Sequence, residues 1–330
     1  MLEHGGRLRA AAAQYNIPLA DWLDLSTGIN PMPWPVPPLP VEVWQRLPES
    51  DDGLEATAAA YYGNANLLPV AGSQAAIQWL PALLPRAAVA CIAPLYAEHP
   101  QAWQHAGHKV RLLQNATLPR ALGVATPYVL FCNPNNPTAD HHPRQIVLEA
   151  AQTLHKRGGT LIVDEAFIDA TPEESVTALA GTAEAPNLIV LRSLGKFFGL
   201  AGARVGFIFG KPELLQRMAE AMGPWAVSGP ARAVARMALA DGNWQEQTRS
   251  KLLAAGARLG SLLAAYGEVK QTPLFATLKL PDAGALHEHL ARRGILTRHF
   301  ERQPLLRFGL PASESEWQRL ADALGDWSKT

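Results

Sequence analysis

The sequence predicts an α/β protein with a mostly parallel sheet in a large domain and a smaller α+β domain. Three observations carry that prediction. Short apolar runs alternate with amphipathic stretches through the middle of the chain. Near Gly242 this pattern gives way to one long helical stretch and then shorter elements. The 330 residues exceed the usual size of one domain, and 48% of them are hydrophobic, enough for a large buried core.

The elements follow in order. The start, "MLEHGGRLRAAAAQYN", carries charges and lacks the apolar core of a signal peptide. The stretch "NPMPWPVPPLP", residues 30–40, is too rich in proline for a helix or a central strand and predicts an extended connector. Then come the strand candidates "AAVACIA", "YVLFCNP", "GTLIVDEA" and "LIVLRSL", separated by amphipathic stretches such as "PRQIVLEAAQTLHKRG". Near-continuous apolar strands alternating with helices indicate a parallel sheet covered on both faces. From Gly242, "NWQEQTRSKLLAAGARLGSLLAAYG" predicts a long helix, and further elements lead through "LLRFGLP" to a last helix. The boundaries read as an arm over 1–40, a large domain over 41–240 and a small domain over 241–330. There is no internal repeat, and no apolar run is long enough to span a bilayer.

Composition excludes some functions. Lys+Arg and Asp+Glu both number 29, so the formal charge is zero. A general nucleic-acid or anionic-membrane binder needs a basic excess. A small anion needs only a local cluster of arginines. Cys91 and Cys132 both lie in apolar strand-like runs and read as reduced core thiols, which points to a cytoplasmic protein. "HEHL", residues 287–290, spaces two histidines at i and i+2, off a shared helix face, so no metal site is expected there. "HH" at His141 and His142 reads as a solvated loop.

Functional residues in such sheets gather at the carboxyl ends of strands. Tyr96, the "CNPNNPT" turn, Asp164 and Lys196 all fall at such ends. Asp164 ends "TLIVD", where a carboxylate is costly to bury without a cation. Capping a helix or pairing in a salt bridge is its plainer use. Lys196 follows "NLIVLRS" among small and apolar residues, unlike a lysine on a solvated helix face. Together the two have a specific chemical use. A pyridinium nitrogen needs a buried anion to stay protonated, and an aldehyde needs an amine to form a Schiff base. Those are a protein's main handles on pyridoxal 5'-phosphate. "VAGSQAAIQWL" places Gly72, Ser73 and Gln74 at a helix N-terminus, where backbone N–H groups suit a phosphate. Ser193 and Arg204 flank the lysine and add a hydroxyl and a guanidinium. Tyr96 offers a flat face to the pyridine ring, or is an ordinary half-buried tyrosine. Asn136 donates to the ring's phenolic oxygen, or serves only its turn.

The ordered series "GSQ", "PLYAEH", "NPNNPT", "DEAFID", "SLGKFFGLAGARVGF" and "LLRFGLP" resembles the fold-type I pyridoxal-phosphate family in its aminotransferase branch. The resemblance runs over nearly the whole chain. It implies a seven-stranded sheet in the large domain, a small domain built from both chain ends, and a homodimer with shared active sites. It makes Lys196 the Schiff-base lysine, in apolar company that keeps its amine readily deprotonated. Within the family the chain is most similar to the threonine-phosphate decarboxylases of cobalamin biosynthesis, relatives of the histidinol-phosphate aminotransferases. "EHGGRL", "DLSTGINPMPWP" and Phe167 in "DEAFID", where most aminotransferases carry tyrosine, favour the decarboxylase. One departure stands out: Leu47 in "RLP" replaces a tyrosine whose hydroxyl elsewhere reaches the partner subunit's cofactor.

The implied substrate, L-threonine O-3-phosphate, carries a carboxylate and a phosphate. Arg307 in "LLRFGLP" matches an arginine that holds the α-carboxylate, and Arg298 in "ILTRHF" matches a second arginine of the decarboxylases. An ion pair with Glu301 is the plainer use of Arg298. His4, Asn30 and Asn136 complete the implied substrate set. The same residues would serve an aminotransferase acting on histidinol phosphate. A cofactor-sensing regulator with a helix-turn-helix segment is disfavoured by the neutral charge.

Overall fold

The structure is a computed structural model that describes residues 4–327. The chain divides into two compact units. The smaller takes the chain up to Pro33, Pro137–Ala139 and the chain from Thr248 on, and the larger takes Trp34–Asn136 and Asp140–Gln247. Residues 34–40 thus belong to the larger unit rather than to an N-terminal arm. The second division falls inside the helix Gly242–Leu263 and not at its start.

Strand β1 (Leu23–Asp24) belongs to the smaller unit. The larger unit is built on seven strands: β2 (Leu67–Val70), β3 (Ala88–Ala93), β4 (Lys109–Gln114), β5 (Tyr128–Cys132), β6 (Thr160–Asp164), β7 (Leu188–Ser193) and β8 (Gly206–Phe209). They form one sheet in the order β2-β8-β7-β6-β5-β3-β4, parallel except for β8. Composition explains the order. The central strands YVLFC and LIVLRS are buried along their whole length, as strands covered on both faces must be. The edges differ. β2 carries Pro69, which an edge strand tolerates because one side needs no ladder donor. β4 carries Lys109 and Arg111 on the other edge, and such charges oppose further pairing.

Alternate residues of the strands line one core. Val89 and Cys91, Tyr128 and Leu130, Ile162, Ile189 and Leu191, and Ile208 pack there with Ile77, Leu80, Trp103 and Met218. Ile77 and Leu80 come from the helix Ser73–Leu83, Trp103 from Glu98–His105 and Met218 from Pro212–Met222. With a period of two, this apolar stripe runs on into Cys132, Asp164 and Ser193 at the carboxyl ends of β5, β6 and β7. Core and candidate site are one face of one sheet.

The smaller unit pairs β1 in parallel with β11 (Ile295–Leu296). Its antiparallel sheet has the order β12-β13-β10-β9, from β9 (Glu268–Gln271), β10 (Phe275–Lys279), β12 (Arg298–Phe300) and β13 (Leu305–Gly309). His287 Nδ1 bonds Thr297 Oγ1 at 2.8 Å, while His289 Nε2 donates to the Ala323 carbonyl at 2.9 Å, so the two do not converge. His142 is not a solvated loop residue. Its ring packs edge-on against Phe131 with 5.2 Å between centroids, and burial lowers its pKa. His141 is exposed.

Candidate active site

The larger unit gathers Gly72, Ser73, Gln74, Tyr96, Asn136, Asp164, Phe167, Ser193, Lys196 and Arg204, the whole cofactor set expected from the sequence. Strand register explains how. Cys132 pairs with Asp164, Asp164 with Leu191, and Ser193 with Gly206, which also pairs with Val70. The ends of β5, β6, β7 and β2 and the start of β8 therefore share one edge of the sheet.

Asp164 is 5% exposed. Its Oδ2 lies 2.8 Å from His99 Nε2, and its Oδ1 accepts from the Ala166 N–H at 3.0 Å. A carboxylate only accepts, so His99 Nε2 carries the proton. His99 is itself 1% exposed and was missed in the sequence, although "PLYAEH" contains it. It sits three residues after Tyr96, the spacing that brings two side chains to one side of a helical turn. Their rings meet edge-to-face at 6.2 Å. Cys132 completes a group of three whose ligand atoms lie within 4.8 Å of one another. A metal would require its thiolate, and burial pushes that thiol up instead. The arrangement is a hydrogen-bonded carboxylate with a histidine behind it.

Lys196 lies in the short helix Leu194–Phe197, capped by Ser193, whose Oγ accepts from Gly195 N at 3.4 Å. Leu194, Gly195, Phe197 and Phe198 around it are buried, and Lys196 is half-buried. Its Nζ lies 5.5 Å from the centroid of the Phe167 ring. A phenyl ring there gives the amine an apolar neighbour without a hydroxyl.

Gly72 starts the helix Ser73–Leu83 with φ +71, in the left-handed region. A Cβ there would lie 2.6 Å from Arg204 Nη2, so the guanidinium occupies the space a side chain would need. Arg204 also has positive φ, 54. Helix N-terminus and guanidinium together make an anion cradle. The Gln74 side chain is engaged elsewhere. It accepts from Tyr96 Oη at 3.2 Å and donates to Glu98 at 3.0 Å, which leaves its backbone N–H as the group suited to an anion. Burial pushes the Tyr96 hydroxyl up to about 12, so it stays a donor. Asn136 is half-buried, and its backbone and that of Tyr96 both bond the Cys132 thiol. This donor set fits a phosphorylated pyridine aldehyde. It has a buried carboxylate for the ring nitrogen, an amine for the aldehyde and a cradle for the phosphate.

The other face of the strands holds groups that went unread in the sequence. Arg192, 2% exposed, gives Nη2 to Asp169 at 2.6 Å and Nη1 to Glu165, Ser175 and Thr177 at 3.2, 2.8 and 3.0 Å. The Tyr62 ring lies 4.7 Å from its guanidinium carbon, and Tyr61 Oη donates to Asp169 at 2.9 Å. Glu165 and Asp169 bracket Phe167, so Arg192 pins the loop that carries it.

The smaller unit holds His4, Asn30, Arg298 and Arg307. Arg298 and Arg307 stand directly opposite each other across β12 and β13. Arg307 is 6% exposed. Burial and then Arg298 lower its pKa to about 10, while Asp24 acts the other way. Its Nη2 donates to the Ser26 carbonyl at 2.8 Å. Asn30 is buried, with Oδ1 accepting from Met32 N at 2.9 Å, and His4 is exposed. Like charges facing across a ladder repel, a cost that a shared anion offsets.

Comparison with known proteins identifies the family. The family described as aminotransferase class I and II matches residues 44–324. The chain belongs to that family. It is 54% identical to a threonine-phosphate decarboxylase of Pseudomonas aeruginosa, over 98% of this chain and 97% of that one. A second threonine-phosphate decarboxylase, from a Sinorhizobium species, is 42% identical over 97% of both chains. In fold, the chain matches a histidinol-phosphate aminotransferase from Sinorhizobium meliloti, solved in complex with pyridoxal 5'-phosphate, with a TM-score of 0.84. That match covers 98% of this chain and 95% of the other at 22% identity.

Proposed function

We propose that this protein decarboxylates L-threonine O-3-phosphate to (R)-1-amino-2-propanol O-2-phosphate and CO2, with pyridoxal 5'-phosphate as cofactor, in cobalamin biosynthesis. The observation that carries the reading is the facing pair Arg298 and Arg307. Two guanidiniums side by side suit a substrate with two anionic groups. Two near-full-length relatives named threonine-phosphate decarboxylase support it.

When bound, the cofactor supplies an electron-accepting pyridinium ring conjugated to the substrate's α-carbon. Asp164, oriented by His99 and Ala166 N, would hold a proton on the ring nitrogen. Lys196 is the amine that would hold the cofactor through its aldehyde, and once freed by the substrate's amine it would be the group to carry a proton to the α-carbon. Gly72, Ser73 and Gln74 present backbone N–H groups to the cofactor phosphate, joined by Ser193 and Arg204. Tyr96 offers a ring face, and Asn136 donates to the phenolic oxygen. Phe167 cannot donate to that oxygen, unlike the tyrosine it replaces. Arg298, Arg307, His4 and Asn30 hold the substrate's two anions. By fixing the substrate's carboxylate and phosphate, these four groups would decide which bond to the α-carbon breaks.

The assembly we propose is a homodimer with shared active sites. Trp44, Leu47, Val41 and Trp225 are 66, 62, 56 and 56% exposed. Trp44 and Trp225 line an apolar hollow of about 920 Å³. Leu47 is an exposed apolar side chain without a hydroxyl. Among the described residues no helix is long and apolar enough to cross a membrane.

The test compares threonine phosphate, threonine and histidinol phosphate, each with and without 2-oxoglutarate. CO2 release from threonine phosphate alone, independent of 2-oxoglutarate, is expected. Turnover of histidinol phosphate that requires 2-oxoglutarate, with no CO2 from threonine phosphate, would establish the aminotransferase instead.

A further inference from the structure

Ser26 joins two parts of the smaller unit that lie far apart in sequence. Its carbonyl accepts from Arg307 Nη2 at 2.8 Å. Its hydroxyl donates to Asp24 Oδ1 at 2.6 Å, and its own N–H donates to the same oxygen at 2.9 Å. A hydroxyl has one proton. With that proton spent on Asp24, the oxygen lone pairs accept from Gly6 N at 2.7 Å. Ser26 is 2% exposed, so water does not compete for these bonds.

Gly5 sits on the same carbonyl. A Cβ at Gly5 would lie 2.2 Å from Ser26 O, so no side chain fits while the segment is seated. Gly6 follows with φ +78, a conformation glycine adopts without strain. The neighbouring backbone is fixed from both sides. Leu25 N donates to Leu296 O at 2.7 Å, and Gly309 N donates to Leu25 O at 2.7 Å. The carbonyl that orients Arg307 is therefore the surface against which residues 5 and 6 close.

We propose that Ser26 is a positioning residue and specificity determinant, a latch that seats residues 4–6 on the carbonyl holding Arg307. Substrate anion binding then requires the seated segment. The proposal rests on the threonine-phosphate reading, in which His4 and Arg307 each meet an anion. One anchor serves both, so losing it weakens substrate binding while the cofactor residues of the larger unit are untouched.

The experiment uses the holoenzyme with Ser26→Ala, Gly5→Ala and the double variant. Either single substitution is expected to raise KM for threonine phosphate about tenfold, the effect of one buried hydrogen bond. kcat should stay within about threefold, and the visible absorbance of bound cofactor should not change. Because both act on one latch, the double variant should be no worse than the worse single one. Amide hydrogen exchange over residues 4–8 reads the latch without any substrate and should quicken about tenfold in Ser26→Ala. An unchanged KM, fully additive losses, or a KM rise accompanied by cofactor loss would overturn the proposal. If the wild type releases no CO2 from threonine phosphate, the substrate reading fails instead. Exchange at residues 4–8 still tests the latch.

Discussion

Lys196 and Asp164 were legible in the sequence because each violates the local rule for its residue type, a cation and an anion ending apolar runs. His99 was not legible. A histidine on the buried side of a helix looks like any core polar residue until the partner strand is placed, and Asp164 lies 65 positions away. Gln74 was read for its place at the helix start, but its amide serves Tyr96 and Glu98, a choice that only the packing of Glu98–His105 decides. At this scale, Lys196→Ala should abolish turnover and the covalent bond to cofactor, checked by borohydride trapping. A trapped adduct in that variant would show that the lysine is misassigned. Asp164→Ala should keep the bond but lose about 10²–10³-fold in kcat, as when one preorganised electrostatic partner is removed. Arg298→Ala and Arg307→Ala should each cost about 2–5 kcal/mol in kcat/KM, much of it from an anion left unpaired. Retained cofactor absorbance in both would separate this loss from misfolding.

Elements divide by how local their determinants are. The strands β3, β5, β6 and β7 and the helix Arg144–His155 follow from apolar runs and amphipathic spacing that any window reveals. The buried network around Arg192 does not. In the sequence Arg192 is one charge inside "LIVLRS", and its partners come from a loop 15 to 27 residues earlier. The two faces of β7 thus do different work. Leu191 and Ser193 continue the stripe that ends at the site, while Arg192 ties down the loop bearing Phe167. Replacing Arg192 with methionine would leave Glu165 and Asp169 buried without their cation, at a cost of about 3–5 kcal/mol. We expect a lower denaturant midpoint with the borohydride-trappable lysine intact. An unfolding free energy within about 0.5 kcal/mol of wild type would show that the network is dispensable.

At the scale of the whole molecule, the two-unit division was visible in the change of pattern near Gly242, but its position was not, because the helix Gly242–Leu263 has no break where the units part. If the exposed tryptophans lie in the proposed homodimer interface, Trp44→Glu should give a monomer in light scattering where the wild type gives a dimer, with activity falling in parallel. A fully active monomer would refute shared sites. The buried acids carry a further consequence. Asp164, Glu165 and Asp169 are consecutive or near neighbours in the chain and all almost fully enclosed, with Arg192 as the guanidinium paired to two of them. A ring protonated against Asp164 would add a positive charge to a carboxylate that the His99 and Ala166 N–H groups contact. The cofactor is thereby a thermodynamic component of the native state. A ligand at a hundred times its dissociation constant stabilises by about 2.7 kcal/mol. Melting temperature should climb with added pyridoxal 5'-phosphate, and less steeply in Asp164→Ala. Chains short of cofactor would then spend more time unfolded, so the supply of the vitamin would set how much of this protein persists.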